Sequence, residues 1–250
     1  MTAKRIIPCL DVMDGKVVKG RNFLGLQYAG KATELAERYY EQGADELVML
    51  DISATNERRK TALEVVRQIK KELFIPLTVG GGIKSVEQIK ELLASGADKV
   101  SLNSAAVKDP KLIEAVSDEF GRQCIVVSID SKKINGSDFV FTNSAARETA
   151  LLTTDWARRA EKYGAGEILL TSIDADGTNK GFDVEITAKV SEAARIPVIA
   201  SGGAGSKEDF YKALVDGKAD AVLAASVFHY RKIGLQELKE YLREKGVEVR

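Results

Sequence analysis

PLTVGGGIKS, residues 76–85, returns 121 residues later as PVIASGGAGS, residues 197–206. Each copy joins a short apolar run to two or three glycines and a small-residue turn. A single phosphate-binding turn needs only one such segment, so the repetition points to a chain of two similar halves, each with its own anion cradle. Working outward, the same offset links GADELVML at 43–50 to GAGEILLT at 164–171. GADKVSLNSAAV at 96–107 matches KADAVLAASVF at 218–228, with Ser104 falling on Ser226. Lys218 interrupts the Gly-Ala-Asp start of the last copy and shifts the rest of that copy by one residue. Asp11, in CLD, has its echo in Asp130, in SID.

Eight short strand-like runs succeed one another: IIPCLD, ELVMLD, PLTVGG, KVSLN, CIVVSID, EILLTS, PVIASGG and AVLAAS. Helix-period segments lie between them at 31–42, 58–73, 86–95, 154–163, 184–194, 207–216 and 235–245. Strand alternating with helix means parallel pairing, and strands apolar on both faces fit a sheet filled from inside and covered by helices outside. An open doubly wound sheet shares that alternation, but eight units in 250 residues favour closure. The expected fold is a single-domain (β/α)8 barrel of the TIM type, residues 1–250, with half-barrels of about 1–121 and 122–250. SKKINGSDFVFTN at 131–143 inserts after the fifth strand, and its Asn135-Gly136 pair signals a hairpin on the top face.

Lys and Arg together number 37, as do Asp and Glu, so no net field draws the chain to nucleic acid or an anionic membrane. The N-terminus has no secretory h-region, and no apolar run reaches bilayer length. The expectation is a cytoplasmic protein. Cys9 and Cys124 sit in apolar runs without metal-ligand spacing, and are expected to be reduced core residues. No metal or cofactor is expected.

In such barrels the chemistry occupies the C-terminal strand ends, where Asp11, Asp51, Asn103, Asp130, Thr171 and Ser201 fall. Polar residues end strands simply because chains leave there into water, but paired carboxylates at corresponding places ask for more. The glycines at 80–82 and at 202, 203 and 205 expose backbone N–H groups. Asn103 and Ser104 in one half, and Ala225 and Ser226 in the other, stand where a helix can begin, adding donors. Two such cradles, around Gly82 and Gly203, would hold a ligand with a phosphate at each end.

At the opposite mouth, counting back by twos places Arg5 on the face of Asp11, Lys99 on that of Asn103, and Glu167 on that of Thr171. Glu46 is the counterpart of Glu167, so Arg5, Glu46, Lys99 and Glu167 can form a mutually neutralising ring at the barrel floor. From the residues alone this reads as a salt-bridge plug. Thr78, Ser101 and Ser128 are small inward positions above it.

PCLDVMDGKVVKG at 8–20, GGGIKS, DKVSLNSAAV, TSIDADGT at 171–178, ASGGAG and AASVFH strongly resemble the cyclase-subunit family of imidazole glycerol phosphate synthase, across essentially the whole chain. The resemblance implies reaction of ammonia with a two-phosphate ribulosyl aminoimidazole carboxamide ribonucleotide, giving imidazole glycerol phosphate and an aminoimidazole carboxamide ribotide. It implies that Asp11 and Asp130 are the general acid/base pair. Lys19 would lie in a mobile loop closing on substrate, and Asp176, Gly177 and Thr178 in a second contacting loop. It also implies that Arg5, Glu46, Lys99 and Glu167 gate ammonia from a glutamine amidotransferase docked on the N-terminal face. A sibling isomerase of the same pathway shares the two-phosphate plan and carboxylate pair, and a non-catalytic phosphate-binding barrel is the remaining alternative. His229 reads as a boundary residue.

Overall fold

The eight apolar runs form the staves of a closed barrel in the computed structural model, which describes residues 3–21, 24–52 and 56–250; the side chains of 19–21, 24–27 and 56–60 lie outside that description. In chain order the strands are β1 (Arg5–Met13), β2 (Lys16–Arg21), β3 (Leu24–Lys31), β4 (Leu47–Asp51), β5 (Leu77–Gly80), β6 (Lys99–Leu102), β7 (Ile125–Ile134), β8 (Ser137–Thr142), β9 (Arg147–Leu152), β10 (Glu167–Ser172), β11 (Val198–Ser201) and β12 (Ala221–Ala224). Parallel pairing runs β1-β4-β5-β6-β7-β10-β11-β12 and returns from β12 to β1, so eight strands close without an edge. The fold is a (β/α)8 TIM barrel.

The helices α1 (Ala32–Glu41), α2 (Asn56–Glu72), α3 (Val86–Ala94), α5 (Lys111–Phe120), α6 (Thr153–Lys162), α7 (Val184–Ala193), α8 (Lys207–Val215) and α10 (Leu235–Glu244) cover it, with short α4 (Ser104–Lys108) and α9 (Ser226–His229) at the rim. The periodic segments foreshadow every helix but the short α4 and α9 and the longer α5, whose buried Ile113 and Val116 follow an opening Pro110. Among the described residues, no helix is long and apolar enough to cross a membrane.

Period-two alternation divides the core in two. Ile6, Leu10, Leu47, Met49, Val100, Ile168 and Val198 pack outward against helices in one large cluster. Ile7, Cys9, Val48, Val126, Leu169, Ile199, Ala221 and Leu223 fill the lumen in a second. Cys9 therefore belongs to the barrel interior. Cys124 does not reach the core; it is half-buried before β7 with Sγ 3.4 Å from the Phe120 carbonyl oxygen, and neither cysteine is disulfide-bonded.

Antiparallel hairpins extend two of the strands. β2 pairs with β1 and with β3, while β8 pairs with β7 and with β9. Their first turns are Asp14-Gly15, at φ 54° and 73°, and Asn135-Gly136, at φ 49° and 84°. Two consecutive positive φ values are the type I′ geometry that matches strand twist. These dipeptides stand 121 residues apart, a further echo of the duplication. The backbone of Lys19, expected in a loop, continues strand β2; its side chain lies outside the described residues.

Each repeated glycine segment closes on a serine that caps a helix. Ser85 is the N-cap of α3 and accepts from the Gln88 amide at 3.4 Å. Ser206 is the N-cap of α8, where its amide and that of Gly205 donate to Asp209 Oδ2 at 2.7 and 3.0 Å. Lys218, the extra residue of the last repeat, takes a left-handed φ of 56° and pairs with Glu192.

Candidate active site

Asp11 and Asp130 stand at the top of the lumen, though neither ends its strand. Both β1 and β7 run past the rim into their hairpins, and the parallel ladders stop just beyond each carboxylate, at Val12↔Asp51 and Ser131↔Ser172. One cavity of about 770 Å³, counting space open to solvent, is lined by both aspartates. Its wall also contains Thr171, Asp176, Gly177, Ser201, Gly203, Ala225 and Ser226, all anticipated from sequence. Gly202, of the second glycine turn, lines it too, and so do Leu50, Asn179, Ala204 and Ala224, which were not singled out. Asp51, Gly82, Asn103 and Ser104 are not part of that lining. Among the described residues no cluster of three or more His, Cys, Asp or Glu is arranged to hold a metal ion.

The Asp130 carboxylate lies deep among protein atoms while opening onto the cavity. Burial pushes its pKa up to about 6; the Asn103 amide, donating from Nδ2 to Oδ2 at 2.8 Å, pulls the other way, and Asp176 adds a smaller upward push. A carboxyl titrating near 6 exchanges protons readily close to neutral pH. Asp11 is buried, with the Cys9 thiol 3.8 Å from its Oδ1.

The glycine turns hold adjacent loops together as well as exposing amides. A Cβ on Gly203, at φ 103°, would stand 2.0 Å from the Gly181 carbonyl oxygen, and one on Gly81, at φ 103°, would stand 1.9 Å from that of Asp51. Neither position admits a side chain, so each turn sits flush against the preceding loop. In the second half Gly203 and Ser226 share the cavity wall, at the start of α9. In the first half Ser104 opens α4 and its Oγ accepts from the Asn143 amide at 2.9 Å. The β8–β9 turn thus lies over the first cradle, a contact the sequence did not signal.

At the floor, the ring that parity placed together is closed. Arg5 Nη1 donates to Glu46 Oε1 at 2.7 Å and Nη2 to Glu167 Oε1, while Lys99 Nζ donates to Glu46 Oε2 and Glu167 Oε2, each at 3.0 Å. Burial opposes the Glu46 charge, but Arg5 and Lys99 together outweigh it and hold its pKa below the usual carboxylate range. The same balance raises Arg5: the pull of Glu167 and Glu46 exceeds the burial penalty. Above the ring, Thr78 and Ser101 are buried, and Ser101 Oγ has no hydrogen-bond partner among the described residues.

Against known proteins, the family described as "Histidine biosynthesis protein" matches residues 5–234. Proteins named imidazole glycerol phosphate synthase subunit HisF from two Dehalococcoides mccartyi strains, BAV1 and CBDB1, are 59% identical over the whole of this chain and 99% of their own length. One of the same name from Natranaerobius thermophilus is 57% identical over the full length of both. The chain belongs to the HisF family. The resemblance carried by short motifs thus extends over 100% of this chain and 99% of the two Dehalococcoides relatives.

Some features of this HisF-family site had no legible signal. Asn179 reaches the cavity because its backbone, at φ 54°, packs under the glycine turn, where a Cβ on Gly205 would stand 2.2 Å from the Asn179 carbonyl oxygen. His229, the last residue of α9, is buried rather than at a boundary: its Nδ1 lies 2.6 Å from the Tyr39 hydroxyl. The partner is 190 residues away, beyond the reach of any local pattern.

Proposed function

We propose that this chain is the cyclase subunit of imidazole glycerol phosphate synthase in histidine biosynthesis. It uses ammonia to convert the ribulosyl aminoimidazole carboxamide ribonucleotide into imidazole glycerol phosphate and the aminoimidazole carboxamide ribotide. The observation that carries the reading, beside family membership, is that Asp11 and Asp130 line a single cavity together with Gly203 and Ser226. Ring closure and C–N cleavage require protons to be taken up and given back on two sides of the reacting centre. Two carboxylates in different surroundings can divide those tasks.

Gly203, Ala225 and Ser226 bind one phosphate; Gly82, Asn103 and Ser104 serve the other, with Lys19 screening charge. Asp51, Thr171, Asp176, Gly177 and Ser201 complete the substrate site. The ring of Arg5, Glu46, Lys99 and Glu167 admits ammonia made by a glutamine amidotransferase docked on the N-terminal face. Family membership and the small buried residues Thr78 and Ser101 above the ring support that reading.

Steady-state turnover of the ribulosyl substrate with ammonium salts, then with glutamine and the partner subunit, tests the assignment. The expected result is turnover in both, with Asp130→Asn and Asp11→Asn each lowering kcat by at least about 100-fold and leaving substrate affinity nearly intact. Ammonia-independent isomerisation of the preceding sugar phosphate, without cyclisation, would instead identify the sibling isomerase.

A further inference from the structure

The two carboxylates occupy corresponding places, yet their neighbours differ. Asn103 and Ala225 correspond: each stands directly after the last residue of its strand, β6 or β12, and each precedes the serine that opens α4 or α9. β6 lies beside β7, which carries Asp130, and β12 beside β1, which carries Asp11. The first pairing puts an amide against the carboxylate, Asn103 Nδ2 to Asp130 Oδ2 at 2.8 Å. The other half has only the methyl group of Ala225 at that position.

We propose that Asn103 is a positioning residue for Asp130, fixing one carboxylate oxygen so that the other faces the ligand and making the duplicated carboxylates unequal. A carboxylate only accepts hydrogen bonds, so the amide must turn its NH2 toward Asp130. That orientation leaves Asn103 Oδ1 buried without a hydrogen-bond partner among the described residues. A buried acceptor left unmade is costly, so packing alone does not explain the orientation; Asp130 does.

The surroundings agree. Asp176, on the loop after β10, opposes ionisation of Asp130, as burial does, and Asn103 is the group that favours the charged form. Asp11 and Cys9 share the cavity from β1. On β7 itself Lys132 lies 5.9 Å over the ring of Phe141, the β8 partner of Asp130, and Glu148 of β9 is exposed opposite Phe141. Thr171 is its partner on β10.

The role rests on the acid/base reading above, but its test needs no turnover. Protein labelled with carboxyl-¹³C aspartate is titrated by NMR, the Asp130 signal being assigned by its disappearance in Asp130→Asn. In Asn103→Ala the Asp130 midpoint should move upward by ~1 pH unit, while the other aspartate signals serve as internal controls. Asn103→Ser, a gentler change that keeps a donor too short to reach, should move it the same way. Kinetically, the limb of the pH–rate profile governed by Asp130 should shift upward with it, and kcat should fall more than KM rises. An unmoved Asp130 midpoint in a folded variant overturns the inference whether or not the cyclase assay succeeds; absence of turnover in the parent protein with a shifted midpoint would sink the cyclase reading alone.

Discussion

A raised carboxyl pKa is also a statement about stability, and at Asp130 its sign is opposite to that of a salt-bridged acid. The folded pKa, about 6, exceeds the ordinary value of 3.8, so between those limits the folded state holds more protons than the unfolded one. Stability attributable to this group is therefore full at low pH, declines as pH rises from about 4 to 6, and stays lost above. The cost of keeping the ionised group at neutral pH is at most about 3 kcal/mol, less where cavity water reaches it. Asp130→Asn should consequently melt higher than the parent at pH 7.5, lose that advantage near pH 4, and still be catalytically dead. Melting curves at both pH values check this; a variant that melts lower at pH 7.5 would show that the carboxylate is a structural asset rather than a site held at a cost to stability.

At the scale of elements, the top face is built from turns that tolerate substitution very unequally. Gly136, at φ 84°, has nothing within 4 Å of where a Cβ would lie, so Gly136→Ala should cost only the left-handed backbone penalty, about 1 kcal/mol. Gly203→Ala adds a Cβ 2.0 Å from the Gly181 carbonyl oxygen, so the β11–α8 and β10–α7 loops must part. It should lose more than about 2 kcal/mol and raise KM for the two-phosphate substrate more than it lowers kcat; equal melting temperatures for the two variants would refute the close-approach account. Legibility in the sequence divides along the same line. Strands and most helices were readable because burial on both faces leaves continuous apolar runs and a 3.6 period. The Asn135-Gly136 turn was readable because type I′ geometry demands those residue types. β2, β3 and β9 were not, since hairpin strands carry mixed side chains, and the Asn143–Ser104 bond was not, since a backbone amide leaves no mark in sequence. For the site, position was legible and environment was not: parity located Asp130 and Asn103, but only the packed structure gives the carboxylate its raised pKa.

The whole molecule has two mouths with different physics. The carboxylates at the top face a cavity, whereas Arg5, Glu46 and Glu167 at the floor have side chains no more than 10% exposed and Lys99 only 19%. Two positive and two negative groups in one closed circuit neutralise each other, which is what permits charge at such depth. Glu46, with its pKa lowered, contributes stability that is present above the unfolded carboxylate pKa and is lost as pH falls through the folded one. A static plug and a gate make different demands on Lys99. If the circuit only seals the barrel, Lys99→Ala leaves Arg5 facing two glutamates, costs about 3–5 kcal/mol, and lowers every activity together through unfolding. If it admits ammonia from a partner on the N-terminal face, the same change should disturb glutamine-driven turnover while turnover with saturating ammonium, which reaches the carboxylates from the top, stays near that of the parent. Lys99 is the member with the most exposed side chain, so its loss is the mildest breach of the circuit and the variant should remain folded. Both turnovers and the melting temperature are measured on one preparation: selective loss of the glutamine-driven rate is expected, and parallel loss of both rates with a drop of about 10 °C would mean the ring is structural alone.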